Sequence, residues 1–129
     1  MGVKRRAISS GSPYEPVVGY SRAVVAGRRV YVSGTAPIMP DGADPPADSY
    51  GQARRCLEII VSALEEAGAS AEHVVRTRMF ITPQADFDEI GRAHAEVFGG
   101  VRPATAAVVV HGLLDPRWLV EIEADAVLE

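Results

Sequence analysis

Residues 118–127, WLVEIEADAV, alternate apolar and acidic side chains through the last part of the chain. Successive side chains of a β-strand point to opposite faces of its sheet, so this period of two predicts a strand. Its apolar set (Val120, Ile122, Ala124 and Ala126) is expected to face the core, and its acidic set (Glu121, Glu123 and Asp125) the opposite side. The chain should therefore contain a sheet with one apolar face and one acidic face.

The segments before this strand predict the rest of the sheet and its helices. β-rich runs at 23–25 and 30–33 flank a Gly27 turn and favour a hairpin. A helix should begin at Asp48 or Ser49 and end near Ala67, and a second should span 86–98. A strand is expected at 74–81, with Val75, Thr77, Met79 and Ile81 alternating against Arg76, Arg78 and Phe80. Another is expected at 104–111, and it should be central because it is almost wholly apolar. The order is β-β-α-β-α-β-β, with a short extra strand near 5–8 as an alternative.

This order predicts an α/β fold of the α+β sandwich type, with a mixed sheet of five or six strands. Two helices can cover one face of such a sheet but not both. The apolar strand at 104–110 carries side chains on both faces, which favours covering by further copies of the chain.

Composition narrows the function classes. The 129 residues indicate one domain, 1–129, and the net charge of −4 argues against a nucleic-acid partner. No apolar stretch is long enough to span a membrane, and the basic start lacks the apolar core of an export signal, so the expected location is cytoplasmic. One cysteine, Cys56, allows no internal disulfide, and the histidines lack metal-ligand spacing, so no metal is expected.

Five short motifs occur in an order typical of one family. They are 18–21 (VGYS), 31–34 (YVSG), 86–87 (DF), 102–105 (RPAT) and 120–124 (VEIEA). In this order and spacing the chain resembles the RidA/YjgF family, also called the L-PSP endoribonuclease family, from about Gly19 to Val127. The resemblance implies a chorismate-mutase-like fold. It also implies a homotrimer with a central barrel and small-molecule clefts between subunits.

The resemblance also implies an activity and a set of site residues. The best-known family members hydrolyse reactive imines and enamines without a metal or cofactor of their own. Tyr20 and Ser33 match cleft residues, Glu121 matches the glutamate that holds the attacking water, and Gly91 lies where many members have asparagine. Thr105 lies where the family has an arginine that binds the substrate carboxylate.

The Thr105 difference predicts a branch of the family that lacks the carboxylate-clamping arginine. Replacing a bidentate, charge-assisted pair by one neutral hydrogen bond costs a few kcal/mol, or roughly a hundredfold in affinity. Standard 2-imino-acid deamination is therefore not expected, and Arg102 or Arg117 could substitute as the anion contact. Trp118 is a further candidate for the pocket wall.

Physical chemistry bears on these candidates independently. A glutamate that serves as a base needs a pKa raised by burial or by a nearby carboxylate, and Glu123 could supply the latter for Glu121. The alternative is a salt-bridged acidic row, with Arg76 and Arg78 as partners. Three functions stay open at this point: deamination of an imine or enamine without a carboxylate clamp, metabolite binding without turnover, and RNA cleavage. The net negative charge of the chain makes RNA cleavage the least favoured of the three.

Overall fold

A computed structural model describes residues 4–129, and the first residues of the basic start, 1–3, lie outside this range. Six strands and two long helices follow each other along the chain. The strands are β1 (Arg5–Ile8), β2 (Ala23–Ala26), β3 (Arg29–Thr35), β4 (Val74–Ile81), β5 (Ala104–Val109) and β6 (Val120–Val127). The helices are α1 (Ser49–Glu66) and α2 (Phe87–Phe98). The predicted order is confirmed, with the extra strand at Arg5–Ile8 present as β1.

The strands form one mixed sheet in the order β1-β2-β3-β6-β4-β5. Only the β4–β5 pair is parallel, and the other four pairs are antiparallel. The parallel pair follows from α2, because a helix that connects β4 to β5 returns the chain in the same direction. A register shift interrupts the β3–β6 ladder between Val32 and Thr35, and this irregularity surrounds Gly34.

Both helices begin where an aspartate can accept a hydrogen bond from a free backbone amide. Asp48 accepts from the Gly51 amide at 3.0 Å, and Asp86 accepts from the Glu89 amide at 3.3 Å. Such side chains satisfy amides that have no partner in the first helical turn. The helix starts predicted from the sequence are therefore confirmed.

The core lies between the helices and one face of the sheet, which we call the helix face. The apolar residues of β6 from Val120 to Ala126 are buried there, as the alternation predicts. From α1, Leu57, Ile60 and Leu64 are fully buried against the sheet. The result is a two-layer α/β sandwich with both helices on the same side.

Three details differ from the sequence-based expectations. β5 is not central: it forms an edge of the sheet, and all six of its residues are exposed. Its apolar run therefore does not mark the middle of the sheet, because within one chain it pairs only with β4 and neither helix buries its side chains. Val75 is 48% exposed, since a bulge between Val74 and Arg76 breaks the alternation of β4. β6 begins at Val120, and Trp118 precedes the strand.

Candidate functional site

The acidic set of β6 lies on the sheet face opposite the helices, which we call the acidic face. Arg78 of β4 reaches two members of this set, with its Nη1 atom 3.0 Å from Glu123 Oε1 and 3.6 Å from Asp125 Oδ2. The prediction of an ion pair to Arg78 is confirmed, whereas Arg76 forms no ion pair within residues 4–129. Glu121, in register with Phe80, has no ion pair in that same range. It is therefore the one carboxylate of the set that Arg78 leaves unneutralised.

Glu121 is partly buried against the backbone of β3 at Gly34. A methyl group in place of the Gly34 hydrogen would lie 2.5 Å from Glu121 Oε2, so the carboxylate occupies space that only a glycine leaves open. Burial is the largest cause of a raised pKa at Glu121, and the Glu123 carboxylate raises the pKa further, while Arg22 lowers it. Glu121 therefore has the environment that a water-activating base requires.

Arg22 is a part of this region that the sequence analysis missed. Its Nη2 atom donates a 2.7 Å hydrogen bond to the Gly34 carbonyl, while its Nε atom is buried with no hydrogen-bond partner among residues 4–129. Burial lowers the pKa of Arg22, and the charge of Glu121 acts in the opposite direction. The available signal was a lone arginine directly before the buried Ala23, at the start of β2. Arg22 thus has two roles here: it donates a hydrogen bond to the Gly34 backbone, and its positive charge lowers the pKa of Glu121.

Tyr20 and Ser33 lie together, as the family resemblance implies for cleft residues. They line a shallow concavity of about 550 Å³, whose other walls come from Arg5, Glu15, Pro16, Gly19, Ser21 and Val24. The Ser33 hydroxyl donates to the Ser21 carbonyl at 2.6 Å, so its proton is already engaged. Ser33 therefore shapes this concavity and shows no partner that would activate it as a nucleophile. Gly34, which contacts Glu121, is the next residue along β3.

Thr105 is not part of this concavity within one chain. Two strands, β6 and β4, separate β3 from β5, which at about 4.8 Å per strand is a separation of roughly 14 Å. The Thr105 hydroxyl also points toward the helix face, where it lies 2.8 Å from the hydroxyl of the buried Thr77. Thr105 and Glu121 thus lie on opposite faces of the sheet of a single chain.

Among the residues described, none of the other predicted contacts lines the concavity that contains Tyr20. Gly91 lies in α2, and a methyl group added there would meet nothing within 4 Å. Trp118 is partly buried in the segment before β6, where its amide donates to the Asp115 carbonyl at 3.0 Å. Arg117 pairs with Asp115 at 2.8 Å and Asp44 at 2.9 Å, so its charge is already neutralised. Arg102 is exposed in the turn before β5, with a left-handed φ of 58°.

Residues that could hold a metal or react as a thiolate are not assembled at this site. Among residues 4–129 no three His, Cys, Asp or Glu side chains form a group that could bind a metal ion. Cys56 lies in the core, where burial raises the pKa of its thiol far above the usual range. None of the helices described is long and apolar enough to cross a membrane. The groups available at this site are therefore carboxylates, hydroxyls and the guanidinium groups of Arg22 and Arg78.

The whole chain is similar in sequence and in structure to proteins of one family. The model of the family described as Endoribonuclease L-PSP matches residues 11–128. An uncharacterised protein of Streptomyces coelicolor is 42% identical over 121 residues, which cover 94% of this chain and 90% of that protein.

Solved structures agree with this match. The crystal structure of Rv2704 from Mycobacterium tuberculosis, a member of the YjgF/YER057c/UK114 family, is similar with a TM-score of 0.88 and 44% identity, covering 97% of this chain and 100% of the other. That of E. coli TdcF with bound serine has a TM-score of 0.80 and 29% identity, covering 100% and 99%. The chain belongs to the YjgF/RutC/RidA family, the family that the L-PSP model describes.

Proposed function

We propose that this protein hydrolyses a small reactive imine or enamine that is not held through an arginine–carboxylate pair. The observation that carries the proposal is the state of Glu121. It is partly buried, its pKa is raised, and among residues 4–129 no cation forms an ion pair with it. The concavity lined by Tyr20 and Ser33 gives a small substrate a place to bind, and Ser33 directly precedes Gly34, the residue that Glu121 contacts.

The reaction requires one base that can accept and then return a proton. Glu121 takes a proton from a bound water as the water oxygen bonds to the imine carbon, and it passes this proton to the imine nitrogen, which gives a neutral amino alcohol. Glu121 then takes the hydroxyl proton as the carbonyl forms and delivers it to the nitrogen as the carbon–nitrogen bond breaks, so that ammonia leaves. An imine and one water thus give one carbonyl compound and one ammonia. The burial that raises the pKa of Glu121 makes its carboxylate a stronger proton acceptor than an exposed glutamate, which favours removal of a proton from water.

The proposal includes self-association as a homotrimer with clefts at the subunit boundaries. The exposed apolar edge strand β5 supports it, since Val108 is 48% and Val109 is 63% exposed and no strand in the described part of the chain pairs with its outer edge. Long apolar edge strands in soluble proteins are usually covered. In such an assembly Thr105, Gly91 and Trp118 of one copy would face Tyr20, Ser33 and Glu121 of the next. Sedimentation of the purified chain should then give the mass of three copies, and a monomer at working concentration would contradict it.

The identity of residue 105 restricts the substrate class. A threonine hydroxyl forms a neutral hydrogen bond and cannot neutralise a carboxylate, and Arg117 is already paired with two aspartates. We therefore expect neutral imines or enamines to be better substrates than 2-imino acids, a preference that marks a branch of the family without the clamping arginine.

Ammonia release from freshly generated imines tests the proposed reaction. We expect the wild-type protein to accelerate release from a neutral imine, and Glu121→Gln to reduce the rate to that of buffer. Glu72→Gln is the matched control, because Glu72 is an exposed carboxylate in a short 3₁₀ turn and does not line the concavity. Equal rates with and without wild-type protein, across carboxylated and neutral imines, would refute the enzymatic proposal.

Metabolite binding without turnover is the second candidate. The neutral Thr105 favours it, and E. coli TdcF was crystallised with bound serine. It predicts calorimetric binding of a small metabolite by a protein that leaves imine hydrolysis unchanged. RNA cleavage, the activity in the older family name, is least favoured because the net charge is −4. It would require RNA binding that weakens steeply with salt.

A further inference from the structure

A chain of three hydrogen bonds connects α2 to the exposed edge of the sheet. His94 Nε2 lies 2.9 Å from Thr77 Oγ1, and Thr77 Oγ1 lies 2.8 Å from Thr105 Oγ1. Thr105 Oγ1 lies in turn 3.2 Å from the Pro103 carbonyl oxygen. We call His94, Thr77 and Thr105 the hydroxyl relay. Thr77 is fully buried, whereas Thr105 is exposed on β5, so the relay joins the interior to the surface.

Counting protons gives the relay one direction. Each threonine hydroxyl has a single proton, and the Pro103 carbonyl can only accept. If all three bonds form together, Thr105 must donate to Pro103, so Thr105 has no proton left for Thr77. Thr77 must therefore donate to Thr105, and the proton of its bond to His94 must come from Nε2. The opposite direction would lose the Pro103 bond.

We infer that His94 is a positioning residue that, acting through Thr77, directs the Thr105 hydroxyl outward as a hydrogen-bond donor. The Pro103 bond is the longest of the three and lies at the exposed end of the relay, so a ligand acceptor can replace it. The ligand class is a small molecule with a neutral acceptor, an imine nitrogen or a carbonyl oxygen. This inference rests on the proposed function in one respect, which is that Thr105 lines the ligand cleft.

The surroundings of His94 leave the relay as its main polar contact. Burial alone lowers the pKa of its imidazole, so the ring is neutral at pH 7. No charged group contributes to that shift. Arg92 pairs with Glu89, Arg54 with Glu96, and Arg78 with Glu123 and Asp125 on the acidic face. The other ionisable groups on neighbouring elements are Arg76 of β4, Arg102 before β5, and Glu72 and His73 of the 3₁₀ turn that packs against α2.

Protonation of His94 would keep the direction of the relay, because an imidazolium also donates from Nε2. A positive charge at the inner end polarises both hydroxyls and makes Thr105 a stronger donor. We therefore expect binding of an acceptor ligand to strengthen as the pH falls through the pKa of His94.

The test is the tautomer of His94, read by long-range ¹⁵N–¹H NMR on full-length protein with labelled histidine. In the wild type we expect the neutral ring to carry its proton on Nε2. Thr105→Val removes the acceptor of the buried Thr77 proton. Thr77 then turns to donate to Nε2, and the proton of the ring moves to Nδ1. Thr105→Ser keeps a hydroxyl and should keep the wild-type tautomer. His73, whose Nδ1 accepts from the Ser70 amide, is the internal control and should not change in either variant.

The outcomes separate this inference from the proposed function. An Nδ1-protonated ring in the wild type, or a Thr105→Val spectrum identical to that of Thr105→Ser, would overturn the relay. Neither result depends on turnover, so deamination could still be observed with the relay refuted, or be absent with the relay confirmed. If turnover occurs, Thr105→Val should raise KM for a neutral imine more than it lowers kcat, and Thr105→Ser should restore KM.

Discussion

Replacing Gly34 by alanine tests whether the position of one carboxylate controls activity. The added methyl group would lie 2.5 Å from Glu121 Oε2, 3.4 Å from its Cδ and 3.8 Å from its Cγ. Only the carboxylate oxygen is too close, and it belongs to the flexible end of a side chain. We expect Gly34→Ala to leave the fold intact and to displace the Glu121 carboxylate.

The size of both effects follows from these distances. To reach ordinary contact at 3.4 Å, Oε2 must retreat by about 0.9 Å. A misplacement of about 1 Å at a reacting group costs up to roughly a hundredfold in rate. A strained rotamer of Glu121 costs about 0.5–1.5 kcal/mol, and alanine recovers about 0.4–1 kcal/mol by restricting the unfolded chain. The free energy of unfolding should therefore stay within about 1 kcal/mol of the wild type.

The assay is ammonia release from a neutral imine, with urea unfolding measured on the same samples. Gly100→Ala is the matched control, because a methyl group there meets nothing within 4 Å and the residue lies in the turn after α2. Its rate should equal that of the wild type. A wild-type rate for Gly34→Ala, with its stability unchanged, would refute the claim that the Gly34–Glu121 contact positions the base. A rate loss accompanied by unfolding would refute the claim that the side chain absorbs the methyl group.

Four further outcomes are expected. Because the pKa of Glu121 is raised in the folded state, ionisation of this carboxyl destabilises the wild type as the pH rises above 4.5. Glu121→Gln removes this effect, so urea titrations should show it to be more stable than the wild type at pH 8 but not at pH 4. Arg22→Gln should move the acid limb of the pH–rate profile to higher pH, since it removes the charge that lowers the pKa of Glu121; an unmoved limb would contradict this. Thr105→Arg should raise 2-imino-acid hydrolysis by roughly a hundredfold in steady-state assays, and no gain would count against a cleft at residue 105. Leu57→Ala should lower the free energy of unfolding, measured with urea, by about 2–5 kcal/mol. Leu114→Ala should lower it by less than about 0.5 kcal/mol, because Leu114 is 96% exposed.

Much of the candidate site depends on contacts between distant parts of the chain, and these were not readable from local patterns. The alternation of residues 118–127 placed Glu121 on the acidic face, and the family resemblance supplied Tyr20 and Ser33. Neither indicated that Arg22 holds the Gly34 carbonyl, because that contact depends on the irregular pairing of β3 with β6. The orientation of Thr105 toward Thr77 likewise depends on the parallel register of β4 and β5.

The amino-acid sequence by itself determined the elements whose causes are local. The period of two in β6 and the aspartates that begin α1 and α2 are properties of a few consecutive residues, and these elements formed as expected. Tertiary structure alone decided that the apolar β5 is an edge strand, that Gly34 makes room for Glu121, and that Thr105 joins His94 through Thr77. An apolar run suits a central strand and a strand covered by another copy equally well, and only the pairing of the whole sheet distinguishes the two.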